Sequence, residues 1–463
     1  MKTVFVVGAG PAGMFAAQKI ALAGHQVVIL NRDIKPGGLA EYGIYPTKDK
    51  MKVGLRKQFA KVLALPNVHY FGHVCVAENG CLSIKDLRDF NPSAIVFAVG
   101  AQGTKKLSLE GSSARGVYSA KDFVYFYNQL PPYTSQDFST GKRVAVIGMG
   151  NVAVDIAHWL LVDAPEKADE VIVVARRGPF EAKFDKKEFA YIEQYLDREA
   201  FHAELERIRP QLEAVGQDIS KVAETTFPIL NKPATVAPGE GRLLFRFLSS
   251  PCSIHVDGNG RINRLRVTEN LLVQRDTSIA CKATDRTADI DVDTMIFAIG
   301  DVADSAVGLP YGTDSYLINP DTTDPQRAAY EVYDNVGCCA MEGTYVVGWA
   351  RKASEGLVGI ARHDAEVGAT HVLKYLESAQ EKPGATPEQI KKSIEARGVR
   401  VVDKADLDYL AKAEEEQAKA RGVLWFKFSE DEAMLAAIDQ RSAKLSQPQP
   451  EASLPDREAL GTI

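Results

Sequence analysis

Two short glycine-rich turns, each set between an apolar strand and a helix, constrain this 463-residue chain more than any other feature. The first is Gly8-Ala9-Gly10-Pro11-Ala12-Gly13, preceded by the apolar run Thr3-Val4-Phe5-Val6-Val7 and followed by an alanine-rich stretch over 11–23 that reads as a helix. Residues 27–30 supply the next strand. A strand-turn-helix-strand unit of this kind forces its two strands to lie parallel, because the crossover is right-handed. The second turn, Gly148-Met149-Gly150-Asn151-Val152-Ala153, repeats the pattern about 140 residues later, between a strand at 143–147 and a helix over 151–161, with a further strand at 171–174. Apolar strands at 94–99, 295–299 and 344–347 also end in glycine. The expectation is an α/β chain with two Rossmann-like folds.

Glycine at these positions permits a tight turn, close backbone approach to a pyrophosphate and close packing of helix on strand, while the helix N-terminus offers amide donors and positive dipole charge. Gly8, Gly10, Ala12 and Gly13 are therefore candidate contacts of one dinucleotide, and Gly148, Gly150, Asn151 and Val152 of another. The acidic residue that commonly holds the first ribose is here Asn31, whose amide also bonds a hydroxyl. At the second site the strand runs into Ala175-Arg176-Arg177. Paired guanidinium groups suit a 2′-phosphate, so this site is expected to take NADPH in preference to NADH. One site then holds flavin and the other nicotinamide.

Composition excludes several alternatives. Hydrophobic residues make up 45% and charged residues 25%, with a net charge of −6, a balance that argues against a nucleic-acid binder. No stretch reaches the roughly 18 apolar residues of a membrane span, and the run from Met1 to Gly8 is too short for a signal peptide, so a cytoplasmic protein is expected. Six cysteines show no metal-binding spacing; Cys338-Cys339 reads as a pair of buried thiols rather than a redox couple.

Three segments carry a family resemblance. Arg176-Arg177-Gly178-Pro179-Phe180-Glu181-Ala182-Lys183-Phe184 followed by Glu188, Gly150-Asn151-Val152-Ala153-Val154-Asp155, and Gly348-Trp349-Ala350-Arg351-Lys352 followed by Gly356-Leu357-Val358-Gly359 resemble the adrenodoxin-reductase family of ferredoxin:NADP reductases. The likeness spans about residues 1–375, with an echo at Arg397-Gly398-Val399. It implies an FAD domain built from 1–104 and 330–378 with an NADP domain inserted over 105–329, and the charged helical pattern beyond reads as an extension over 379–445 before a flexible tail over 446–463. It implies Trp349, Gly356, Leu357 and Val358 at the flavin, Asn151, Arg176, Arg177 and Glu188 at NADPH, and Trp349 and Glu188 where hydride passes. Gly100 follows a strand of the first unit, and Pro36-Gly37-Gly38-Leu39 resembles the flavin branch of the glutamate synthases, which adds Gly38 and Leu39.

Where the family reads Gly-Val-Ala-Pro-Asp-His, this chain has Gly43-Ile44-Tyr45-Pro46-Thr47-Lys48, and Lys48 reads as a solvated lysine or, in the alternative, as charge near the flavin. Ala353-Ser354 likewise replaces Gly-Pro. The implied activity is hydride transfer from NADPH to FAD and single-electron transfer to an acidic ferredoxin-type iron–sulfur protein, docked on a basic face of Lys183, Lys186, Lys187, Arg207 and Arg209. The alternatives are a flavin subunit of a larger assembly and a flavin-dependent disulfide reductase.

Overall fold

In the computed structural model, the strand Thr3–Val7 lies inside a six-stranded sheet, paired in parallel with Gln26–Leu30 on one side and Ala94–Phe97 on the other. The structure describes residues 1–105, 107–233, 239, 241–275, 278–353, 358–380 and 383–445. Gly356, Leu357 and the tail at 446–463 lie outside them. Val68–Phe71 extends the sheet beyond Gln26–Leu30, and Cys339–Val346 pairs in parallel with Ala94–Phe97 from far along the chain. Glu331–Asp334 closes that edge antiparallel.

These strands are apolar almost throughout because both faces are covered. On one face the helix Pro11–Leu22 packs against Val358–Ser378, and alanines 12, 16, 17, 21, 365 and 369 let the two approach closely. The other face buries Phe5, Val28, Leu30 and Phe97 with Ile390 and Ile394 from the helix Pro387–Glu395. That part of the C-terminal extension is thus core to the first sheet.

A second sheet is wholly parallel, in the order Val117–Ser119, Thr294–Phe297, Arg143–Ile147, Glu170–Val174, Arg242–Arg246. The chain leaves the first unit through Gly103–Thr104 and returns through Asp301–Val302, and the two crossings pair antiparallel. Between the last strand and the return lies a third, antiparallel sheet of Ser249–Val256, Ile262–Arg275 and Ser278–Asp291. Beyond Pro387–Glu395, the extension continues as helices Lys404–Arg421 and Asp431–Leu445. Leu410, Met434 and Ile438 pack there on Ile34 and Val402.

Two expectations are corrected here. Cys338 and Cys339 are exposed, not buried, because they occupy the turn between Glu331–Asp334 and Cys339–Val346 at the sheet edge. The helix expected over 151–161 is α-helical only through Asn151–His158 and widens to a π turn at Trp159–Asp163.

Candidate functional site

The first glycine turn is shaped by contacts that leave no room for side chains at two positions and open space at a third. A Cβ on Gly13 would lie 1.9 Å from Gly8 O, and one on Gly8, at φ +101°, would lie 2.6 Å from Ala98 O. One on Gly10 would meet nothing within 4 Å. Gly10 precedes a helix that lacks a side-chain cap, so its first amides face that open space without a competing donor or acceptor of their own. The second turn matches it. A Cβ on Gly148 would be 2.2 Å from Ala298 O, Gly150 is open, and Asn151–His158 also starts uncapped. Both cradles fit a pyrophosphate.

Several expected residues converge on the first turn. Gly37 N donates to Ala9 O at 2.8 Å, and a Cβ on Gly38 would lie 3.1 Å from Gly10 Cα. Leu39 follows, half-buried, at the start of Leu39–Tyr42. A Cβ on Gly348 would come 2.5 Å from the Cβ of Ala12, so the turn carrying half-buried Trp349 rests on the start of the first helix. Asp364 holds that turn by accepting from Gly348 N at 2.6 Å and pairing with Arg351. Gly100, at φ +70°, closes the neighbouring strand, and Val358 opens the helix that packs on Pro11–Leu22.

Asn31 is arranged differently from expectation. It is 6% exposed, its Oδ1 accepts from Ala9 N at 2.9 Å, and its Nδ2 donates to Asp33 O at 2.8 Å and Lys35 O at 3.1 Å. Its amide braces the glycine turn from within. The neighbouring outward group, which sequence reasoning passed over, is Arg32, whose guanidinium bonds Asp33 at 2.9 Å.

At the second turn the segment after Arg177 folds back over the glycines. Lys183 N donates to Met149 O at 2.9 Å, and Asn151 Oδ1 accepts from Asp185 N at 2.6 Å. Val152 is exposed beside it. Arg176 and Arg177 stand at the end of Glu170–Val174, adjoining Gly148, whose N–H donates to Val174 O at 2.9 Å. Among the described residues no carboxylate pairs with either guanidinium. Both are thus available to an anion.

The two units meet through Lys48. Rather than standing in solvent, it reaches across to the second unit, with Nζ 2.6 Å from Glu188 Oε2 and 3.5 Å from Asp155 Oδ1. Burial opposes its charge, but the two carboxylates prevail and raise its pKa. One ammonium serves two carboxylates, and Asp155 is the more distant. Burial, with Glu188 adding repulsion, lifts Asp155 to about 6 against the pull of Lys48. Beside this cluster the ring of Tyr45 stacks on His158 at 4.4 Å and 5°, and His158 on Tyr191 at 5.8 Å and 9°. Tyr45 belongs to the loop after the first turn, and the other two rings to the second unit. The departure from the family motif drew attention to Lys48, but nothing in the sequence signalled its pairing with Glu188 and Asp155 or this stack, since the partners lie far apart in sequence.

The proposed basic face is smaller than expected. Lys183, Lys186 and Lys187 are exposed and unpaired among the described residues. Arg207 is spent on Glu204 and Glu269, and Arg209 on Glu206 and Glu213.

Two parallel-sheet nucleotide folds, joined by a pair of crossing strands and facing each other across a charged junction, define a two-dinucleotide oxidoreductase of the flavoprotein class. Residues 2–320 match the family described as pyridine nucleotide-disulphide oxidoreductase. The chain is 30% identical over 414 residues to the NADPH-ferredoxin reductase FprA of Mycobacterium tuberculosis, covering 82% of this chain and 85% of that protein. It is 26% identical over 478 residues to the mitochondrial NADPH:adrenodoxin oxidoreductase of Bos taurus, covering 94% and 92%. A solved structure of FprA from M. tuberculosis overlays with a TM-score of 0.76 at 26% identity, covering 95% of this chain and 99% of that one. The chain belongs to the adrenodoxin-reductase-like ferredoxin:NADP reductases. Members of that family are FAD- and NADPH-dependent oxidoreductases. Among the described residues no helix is long and apolar enough to cross a membrane.

Proposed function

We propose that this chain takes hydride from NADPH onto FAD and releases the electrons one at a time to a small acidic iron–sulfur protein of the ferredoxin type, in the cytoplasm. The FAD domain is assigned to 1–104 with 330–378, and the NADP domain to 105–329, following the two parallel sheets. FAD is placed at Gly8, Gly10, Ala12, Gly13, Gly38, Leu39, Gly100, Trp349 and Val358, with Asn31 holding the turn. NADPH is placed at Gly148, Gly150, Asn151, Val152, Arg176, Arg177 and Glu188.

The observation that carries this reading is the 2.6 Å bond from Lys48 to Glu188, which ties the loop after the first turn to the segment folded over the second. The bond brings the two units together at one charged junction, to which the meeting of the two bound cofactors is assigned. When bound, FAD accepts a hydride and returns its electrons singly; the protein's work is alignment and electrostatics. Glu188 and Trp349 stand at the point of transfer, Glu188 fixed by Lys48. Lys183, Lys186 and Lys187 supply the positive side of an acceptor surface.

The test is anaerobic reduction of the FAD-loaded protein by NADPH and by NADH. NADPH bleaches the flavin at lower concentration, and Arg176→Ala with Arg177→Ala raises the NADPH requirement on the order of a hundredfold, two charge-assisted bonds being lost. NADH reduction is unchanged in the double variant. Equal loss for both nucleotides would remove the 2′-phosphate assignment.

A further inference from the structure

The segment between the helices Lys404–Arg421 and Asp431–Leu445 carries a lysine into the interior. Lys427 has only 6% of its side chain exposed. Its Nζ donates to the carbonyl of Asn128 at 2.8 Å and to Glu41 Oε1 at 3.2 Å, and lies 4.6 Å from the centroid of the Tyr42 ring. Glu41 is itself 5% exposed and accepts two further bonds of 2.7 Å from Arg56. A buried ammonium persists only where a carboxylate, a carbonyl oxygen and a π face replace its water, so this contact is built rather than incidental. The flanking residues anchor the same segment. Phe428 N donates to Glu414 Oε1 at 3.1 Å, Glu414 pairs with Lys35 at 2.6 Å, and the Thr134 hydroxyl donates to Ser429 O.

What Lys427 touches gives the contact its meaning. Glu41 and Tyr42 lie in the short helix entered through Gly37 and Gly38, the residues that rest on the first glycine turn. Asn128 follows the helix Ala120–Tyr127, whose Phe123 and Val124 are buried in the core of the second unit. Lys52 donates to the Asn128 side chain at 2.8 Å and completes the cluster. One ammonium from the C-terminal extension therefore joins the loop against the first turn to the entrance of the second unit.

We propose that Lys427 is a positioning residue for the flavin: residues 422–429 form a strap that fixes the 37–43 loop against the first glycine turn and shapes the flavin site from outside it. This rests on the placing of FAD at the first turn. The strap acts on that loop through Glu41.

The experiment compares Lys427→Met, the double variant Glu41→Gln with Lys427→Met, and Gly10→Glu, all in the full chain. For each, FAD affinity is titrated on the apoprotein by flavin fluorescence, NADP⁺ affinity is measured separately, and thermal stability is recorded. Lys427→Met is expected to weaken FAD on the order of tenfold and to lower stability, with NADP⁺ affinity unchanged. The double variant removes both members of the pair but also takes the Glu41 carboxylate from Arg56 and buried Lys52, so its stability stays below the parent, and FAD stays about tenfold weaker because the link is gone. A merely structural lysine would lower stability and leave FAD affinity unchanged, so strap variants that bind FAD like the parent overturn the inference. Lys427→Met keeps Glu41 paired with Arg56, so it is expected to fold and decides the matter even where the double variant does not. Gly10→Glu sets a carboxylate at the open side of the first turn and should abolish FAD binding. If Gly10→Glu keeps its flavin, the placement itself fails; if it loses flavin while both strap variants keep parental affinity, only the strap fails.

Discussion

At Asp155 a half-buried carboxylate shares one ammonium with Glu188, its better-placed rival, and its pKa stands near 6 chiefly because it is desolvated. A carboxyl whose pKa is higher folded than unfolded binds its proton more tightly in the native state. It contributes stability below the unfolded value of 3.8, and that contribution is lost as pH rises through about 6. Asp155→Asn should therefore raise the melting temperature at pH 7.5, by up to about 3 kcal/mol in stability, with the gain shrinking to nothing below pH ~4. A destabilising charge kept beside the cofactor junction fits a residue retained for activity at the expense of stability. Slower NADPH-driven flavin reduction in the stabilised variant is the companion expectation, read by stopped flow. Glu41 has the opposite sign. Burial favours its protonation, but Arg56 and Lys427 hold it near 2. Its contribution is present above 4.5 and lost as pH falls toward 2. Glu41→Gln alone should then be less stable than the parent at neutral pH, and the deficit should narrow on acid titration.

Among the elements, the glycine turns make the sharpest distinction. Gly13→Ala would drive a Cβ to 1.9 Å from a carbonyl oxygen, so the turn cannot keep its shape; a loss of several kcal/mol and of bound FAD is expected. Gly10→Ala meets open space and should leave the melting temperature nearly unchanged while weakening FAD, which thermal and flavin titrations on the same samples will separate. These strand-turn-helix units were the most legible part of the sequence, because a buried parallel strand is a continuous apolar run and its glycines are locally spaced. The hairpin of Ile262–Arg275 and Ser278–Asp291 was not legible. Its outer strand is largely exposed and carries Asp289 and Asp291, which pair with Arg264 and Arg266 on its neighbour, so apolar alternation is masked by cross-strand ion pairs. The site divides in the same way: cradle glycines and paired arginines are local patterns, whereas Lys48 with Glu188 and Lys427 with Glu41 are contacts made only by the fold. Asn31 was identified by position, but its inward orientation is set by Ala9, Asp33 and Lys35 together.

Across the whole molecule, the net charge of −6 would repel an acidic acceptor, so productive encounter depends on where positive charge is left unpaired. Arg207 and Arg209 are neutralised in place, and Lys183, Lys186 and Lys187 remain. Reversing all three to glutamate should slow reduction of a ferredoxin about tenfold at low salt and leave reduction of a small dye unchanged, and the parent's advantage should fade as ionic strength rises. A ferredoxin rate insensitive to salt in the parent would place the acceptor elsewhere. The pairing of Ile95 with Thr344 has a consequence of another kind. While the chain is being synthesised, the second parallel sheet is complete once Thr294–Phe297 has emerged, but Ala94–Phe97 must wait for Cys339–Val346 with one edge bare. The second unit can mature on the ribosome ahead of the first, whose apolar edge is left to chaperones or to the speed of translation.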